Sequence, residues 1–298
     1  MLSIVVVTAC GKDSEPPEST EATGGAREKV IYGDDNRHEL YQEKNATIAA
    51  LADSTAAVLE EASVGPNVGG YREIKGITFQ KQNSLCADEP FAQQITAAFC
   101  SAFLVAPNAV ATAGHCIRSA KDCSTTMFAF GYSYKTAASN PKRVPAGEVY
   151  RCKQIIRREE NSGAADFAII QLDRVVSGHA PLSVRKTGKI GNGEPLVVIG
   201  YPSGLPLKIA DGARVRDTNP AQFFIANLDT YGGNSGSAVF NTVTKVVEGI
   251  LVRGEQDFAL DPKGCMRSNK CASDACRGED VTRITEAVAY IPTLRRKK

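Results

Sequence analysis

The feature that most limits the fold is the brevity of the apolar runs and the turn residues between them. From residue 71 onward the chain breaks into stretches such as Phe99 to Val105, Val110 to Ala113, Phe167 to Leu172, Leu196 to Ile199, Phe223 to Ala226 and Val246 to Val252, separated by Gly, Pro and Asn. Such runs predict an all-β fold of antiparallel barrels or sandwiches rather than strands alternating with helices. None approaches the roughly 20 apolar residues of a membrane-crossing helix. Two segments read differently. Residues 46 to 62, with Ala46, Ile48, Ala49, Leu51, Ala52, Ala56, Val58 and Leu59, predict a helix. Ile284, Ala287, Val288 and Ile291 fall at i, i+3, i+4 and i+7 and predict a C-terminal α-helix over about 281–291, capped by Asp280 and stopped by Pro292. The Arg295-Arg296-Lys297-Lys298 tail reads as a solvated end.

A length of 298 residues allows one large domain or two small ones, and 43% hydrophobic residues can fill a sizeable core. Thirty-five Lys+Arg against 33 Asp+Glu leave a formal charge of +2, which gives no grip on nucleic acid. Intrinsic disorder, coiled coil and membrane transport are excluded on the same grounds. Nine cysteines point to an oxidising compartment. Leu2 to Ala9 is a short apolar stretch ending in Val7-Thr8-Ala9-Cys10, followed by a polar segment. Small residues before a cysteine resemble the bacterial lipobox, so residues 1–29 are expected to be signal, polar tether and candidate propeptide, excluded from the fold. Cys10 is then the lipidated residue and the only membrane attachment. No Lys or Arg precedes the apolar run, so the true translation start is expected further upstream.

Three motifs carry the chemistry. His115 ends a β-type run in Ala111-Thr112-Ala113-Gly114-His115-Cys116, and Asp166 precedes the apolar strand Phe167-Ala168-Ile169-Ile170. Ser235 stands among glycines in Gly232-Gly233-Asn234-Ser235-Gly236-Ser237. Singly, each is weak: a histidine at a strand end, a turn aspartate and a Gly/Ser turn are all common. Together they run His, Asp, Ser, spaced by 51 and 69 residues. This is the chain order of chymotrypsin-type proteases, not that of α/β-hydrolases or subtilisins. Ser237 also breaks the G-x-S-x-G pattern.

The sequence therefore resembles the trypsin/chymotrypsin superfamily, and within it the bacterial glutamyl-endopeptidase-like branch. That branch's nucleophile loop is similar to Gly232–Ser237, and its mature amino terminus to Val30-Ile31-Tyr32-Gly33-Asp34-Asp35-Asn36-Arg37. The resemblance covers about residues 30 to 290. It implies two perpendicular six-stranded antiparallel β-barrels with the active site between them. Their expected limits are about 71–175 and 190–278, inside a protease domain of residues 30–298.

The implied activity is secreted or envelope-anchored serine endopeptidase action on protein or peptide substrates, by a monomer without cofactor or metal. In that chemistry Ser235 attacks, His115 moves the proton and Asp166 orients the imidazole. The family's oxyanion donors are the backbone N–H groups of Gly233 and Ser235. Trypsin-like zymogens carry an Asp before the nucleophile, whereas Asn234 is uncharged, which removes that switch. Glutamyl endopeptidases send their terminal amine towards the substrate pocket, a role cleavage after Lys29 would give Val30.

The substrate pocket is expected near Asp229, Thr230, Leu251, Val252 and Arg253. These candidates disagree: Asp229 suits an Arg or Lys side chain, Thr230 matches a pocket residue of glutamyl endopeptidases, Leu251 replaces their histidine, and Arg253 would attract an acidic side chain. Besides Cys10, eight cysteines remain, whose pairing spacing alone does not fix. The resemblance implies Cys100–Cys116. Cys123 with Cys152 fits as a second bridge, with one more within Cys265, Cys271 and Cys276 and another from that cluster to Cys86. The cluster lacks C-x-x-C zinc spacing. Two other readings use the same fold: a catalytically silent binding module and an esterase-type acyl hydrolase.

Overall fold

The short runs become the strands of two closed antiparallel barrels in the computed structural model, which describes residues 30–293. After a two-residue strand at Ile31–Tyr32 come a short strand β1 (Arg37–Glu39) and helix α1 (Ala46–Ala52). The first barrel is made of β2 (Thr55–Glu60), β3 (Cys100–Ala106), β4 (Ala109–Thr112), β5 (Thr126–Phe130), β6 (Val149–Glu160) and β7 (Asp166–Leu172). Its order is β6-β7-β4-β3-β2-β5, with β5 closing on β6. The second uses β8 (Pro195–Gly200), β9 (Lys208–Asp217), β10 (Phe223–Ala226), β11 (Ala238–Asn241), β12 (Val247–Arg253) and β13 (Glu279–Arg283). It runs β8-β11-β12-β13-β10-β9, closed by β8 on β9, and β1 adds to the outer edge of β9.

Burial explains why these segments pair. Every residue of β3, β4 and β5 is buried, and Pro107-Asn108 turn β3 back onto β4. The largest apolar cluster fills the first barrel and continues through Val197, Ile199, Tyr201, Ala238, Phe240 and Ile250 into the second. A smaller cluster around Leu196, Phe224, Leu251 and Val281 fills the second barrel. The seam between the barrels is thus packed, and a cleft opens at its rim.

Two sequence expectations are corrected. Only residues 46–52 of the segment 46–62 are helical, begun by Asn45, whose Oδ1 accepts from the N–H groups of Thr47 and Ile48. The remainder forms β2, so the first barrel begins at Thr55 rather than near residue 71. The branched side chains of Thr55 and Val58 suit a buried pleated surface, and the alanines between them gave a false helical signal. The C-terminal α-helix is absent. Residues 279–283 are β13, the strand that completes the second barrel, and two 3-10 turns follow at Ile284–Glu286 and Val288–Tyr290. The i, i+3 spacing belongs to those turns, which place Ile284 and Ala287 in the core. Asp280 is a strand residue, not a cap.

Four disulfides are formed: Cys86–Cys265, Cys100–Cys116, Cys123–Cys152 and Cys271–Cys276. Each agrees with the pairing set out above, and their presence fits an extracytoplasmic, oxidising setting. Among the described residues no helix is long and apolar enough to cross a membrane. The signal, lipobox Cys10, polar tether and basic tail lie outside the described residues.

Candidate active site

β4 ends at Thr112, and the chain turns at once through Gly114–Cys116 in a single 3-10 turn that carries His115. Cys116 is bonded to Cys100, the first residue of the neighbouring β3, so the imidazole rides on a turn tied at both ends. Asp166 opens β7, which pairs with β4. Its Oδ2 lies 2.7 Å from His115 Nδ1, while Oδ1 accepts from the backbone N–H of Gly114 at 2.6 Å and of His115 at 3.1 Å. Burial opposes ionisation of this carboxyl, but the hydrogen bonds from His115 and from the two amides outweigh it and hold it below the usual carboxylate range. An ionised Asp166 fixes the ring with Nδ1 protonated, leaving Nε2 free to accept a proton.

Ser235 comes from the second barrel, on the loop before β11. Gly233, two residues earlier, has φ +79°, a left-handed conformation that a side chain would strain. Gly236 has φ +89°, and a Cβ there would collide with the Ser101 carbonyl and Thr112 Oγ1. That close approach locks the loop to the first barrel: Ser101 N–H donates to the Ser235 carbonyl at 2.8 Å. The Asn234 side chain donates to Thr230 Oγ1 at 2.5 Å and accepts from Ser237 Oγ at 2.7 Å, so the loop is braced internally without a charge.

A cleft of about 700 Å³ brings together His115, Asp166, Gly233, Ser235, Val252 and Arg253. Ser235 Oγ donates to the Val252 carbonyl at 3.4 Å, a long and weak bond. Among the described residues neither Gly233 N–H nor Ser235 N–H has a backbone acceptor, so both are available as donors to an oxyanion. The other two histidines are occupied elsewhere: His38 with Glu43, and His179 with Glu148 while stacked on Phe130.

Three expected pocket residues do not line this cleft. Asp229 is buried and accepts from Tyr32 N–H at 2.7 Å and Asn36 N–H at 2.9 Å, so it clamps the amino-terminal segment instead of receiving a substrate. Burial pushes its carboxyl up to about 6. Thr230 is fully buried under Asn234, and Leu251 belongs to the core of the second barrel. Arg253 does line the cleft, but Asp280 holds its Nε at 2.9 Å and the Ala164 carbonyl holds Nη2 at 3.0 Å. It is not free to receive an acidic side chain. Phe99, Arg118 and Glu160 also border the cleft and were not foreseen; Arg118 pairs with Glu160 at its rim. Arg118 follows His115 by three residues, and that proximity was the one available signal. Cys100, Cys116 and His115 are near enough to suggest a metal site, but disulfide sulfurs offer no thiolate.

Residues 100–250 match the family model for a trypsin-like peptidase domain. The chain belongs to the trypsin-like peptidase family. Within it, the glutamyl endopeptidase of Bacillus licheniformis (strain ATCC 14580) is 29% identical over 150 residues, 47% of this chain and 45% of that protein. The match thus spans less than half of the relative's length. Two solved trypsin-like folds superpose on most of this one. A Glu endopeptidase in complex with MPD has a TM-score of 0.50 at 18% identity, covering 88% of this chain and 97% of that one. The Vibrio cholerae VesB protease has a TM-score of 0.53 at 15% identity, covering 88% and 67%. At these identities they show a shared fold.

Proposed function

We propose that this member of the trypsin-like peptidase family is a secreted serine endopeptidase working through His115, Asp166 and Ser235. The observation that carries this reading is the Asp166–His115 hydrogen bond at 2.7 Å, in one cleft with a serine whose loop presents two unpaired N–H groups. Ser235 Oγ attacks the peptide carbonyl carbon while His115 Nε2 takes its proton. The tetrahedral oxyanion faces the N–H groups of Gly233 and Ser235. The C–N bond then breaks, His115 returns the proton to the departing amine, and water hydrolyses the acyl ester by the same route.

Labelling with a fluorophosphonate probe tests the reading. Wild type is expected to form a covalent adduct and Ser235→Ala none; an unlabelled, folded wild type would overturn it in favour of a silent binding module. Faster turnover of simple esters, with none of peptides, would instead favour the esterase reading. Because Asp229 is committed to Tyr32 and Asn36, the argument for Arg or Lys preference falls away, and a peptide-library cleavage profile reads the true preference. Lipid anchoring at Cys10 is part of the same proposal. Cys10→Ser is expected to move the protein from the membrane to the soluble fraction, and unchanged fractionation would refute the anchor.

A further inference from the structure

Arg253 stands on the strand wall of the cleft, and its aim comes from a break in strand register. β12 pairs with β13 so that Leu251 faces Val281 while Arg253 faces Asp280: two residues on one strand advance against one on the other. This bulge at Val252 disrupts the usual alternation, by which Leu251 and Arg253 would share a face. Leu251 enters the core, whereas Val252 and Arg253 both reach the cleft. The guanidinium is then fixed on several sides. Nε donates to Asp280 Oδ2 at 2.9 Å, Nη2 donates to the Ala164 carbonyl at 3.0 Å, and the group sits 5.5 Å from the centre of the Phe223 ring. Nη1 is left pointing at Asp166, 4.0 Å from the same Oδ2 that accepts from His115.

We propose that Arg253 is a positioning residue for the Asp166–His115 pair, its buried positive charge offsetting that of Asp166 so that the imidazole stays a proton acceptor in more acidic solution. The inference rests on the reading of His115, Asp166 and Ser235 as a working triad. The charged groups facing the pair support it. From the first barrel, Arg118 and Arg158 both pair with Glu160, and Arg158 Nε also donates to the Gly114 carbonyl. From the second, Arg277 Nη2 donates to Asp280 Oδ1 at 2.5 Å, so Asp280 is shared between two arginines and does not cancel Arg253. A carboxylate without its nearby cation draws a proton onto the imidazole more strongly, and at an effective dielectric of about 20 a charge one or two bond lengths beyond contact still matters.

The test is the pH profile of fluorophosphonate labelling at Ser235. Arg253→Gln is expected to move the acid limb upward by about 0.5 to 1 pH unit, whereas Arg253→Lys keeps it within about 0.3. A merely structural loss would lower labelling equally at all pH values and leave the limb in place. A folded Arg253→Gln whose limb does not move overturns the proposal. If that variant does not fold, Arg253→Gln/Asp280→Asn removes both charges together; the limb is then expected to move in the same direction by less, and an unmoved limb is equally fatal. Absence of Ser235-dependent labelling in wild type would instead overturn the triad reading, and this inference with it.

Discussion

His115 and Ser235, the proposed base and nucleophile, are held by different means. His115 sits on a turn bonded through Cys116 to Cys100, and Cys123–Cys152 ties the same barrel a second time between helix Ala120–Thr125 and β6. The loop 229–237 that carries Ser235 contains no cysteine. It is held by Asn234, Thr230 and Ser237 from within, and by the amino-terminal segment from outside. There Asp229 receives two backbone N–H groups, and Arg37 lies 3.7 Å from the centre of the Tyr231 ring, with Nη2 donating to its hydroxyl at 2.5 Å. Neither the disulfides nor Asp166, whose carboxyl is held below the usual range, responds to mild acid, whereas the buried Asp229 carboxyl does. The difference implies that the base keeps its geometry across pH and that the nucleophile loop is the half whose support varies.

Four experiments press on that contrast. Asp166→Asn should leave a folded protein by circular dichroism while turnover falls by about 10⁴-fold, because an amide no longer selects the tautomer with Nε2 free. A variant retaining more than a tenth of wild-type activity would mean that the base half is not organised as described. Removing the bridge with Cys100→Ser/Cys116→Ser should cost about 3 kcal/mol in urea melts, given a separation of 16 residues. An unchanged midpoint would show that the covalent tie is redundant.

Asp229 should give stability a slope with pH. Its folded carboxyl titrates near 6, above the ordinary value, so between about pH 4 and 6 the native protein holds a proton that the unfolded chain has released. Stability contributed by this group is therefore present in acid and lost as pH rises through that window, by roughly 2–3 kcal/mol. Asp229→Asn should lack that component, and equal slopes for the two proteins in urea melts would break the comparison. Arg151→Ala, which removes an exposed pair with Glu61, should leave the midpoint unchanged, since such pairs contribute little in water.

The proposed triad was legible because each member sits in a local pattern: a strand end before His115, an acid before an apolar run at Asp166, and glycines around Ser235. What those patterns lack is register. Arg253 reaches Asp166 only because β12 slips by one residue against β13, and no local signal marks that slip. Asp229 occupies the position of a pocket acid along the chain, yet its partners, Tyr32 and Asn36, are almost 200 residues away. Thr55–Glu60 shows the complementary failure. Alanine is compatible with either periodicity over six residues, and the choice was made by the barrel, which needed a strand beside β3. Family resemblance placed only Cys100–Cys116; the other three bridges were expectations that spacing alone does not fix, since eight cysteines allow many pairings.

Ile31 and Tyr32 pair in parallel with Lys270 and Cys271, and β1 pairs with β9. Among the described residues, those synthesised first therefore find their partners only after roughly 170 to 240 others have been made. A chain made in order delivers its amino-terminal latch long before the strands that receive it exist. The brace that Tyr32 and Asn36 give the loop around Ser235 therefore forms only once Asp229 has been made.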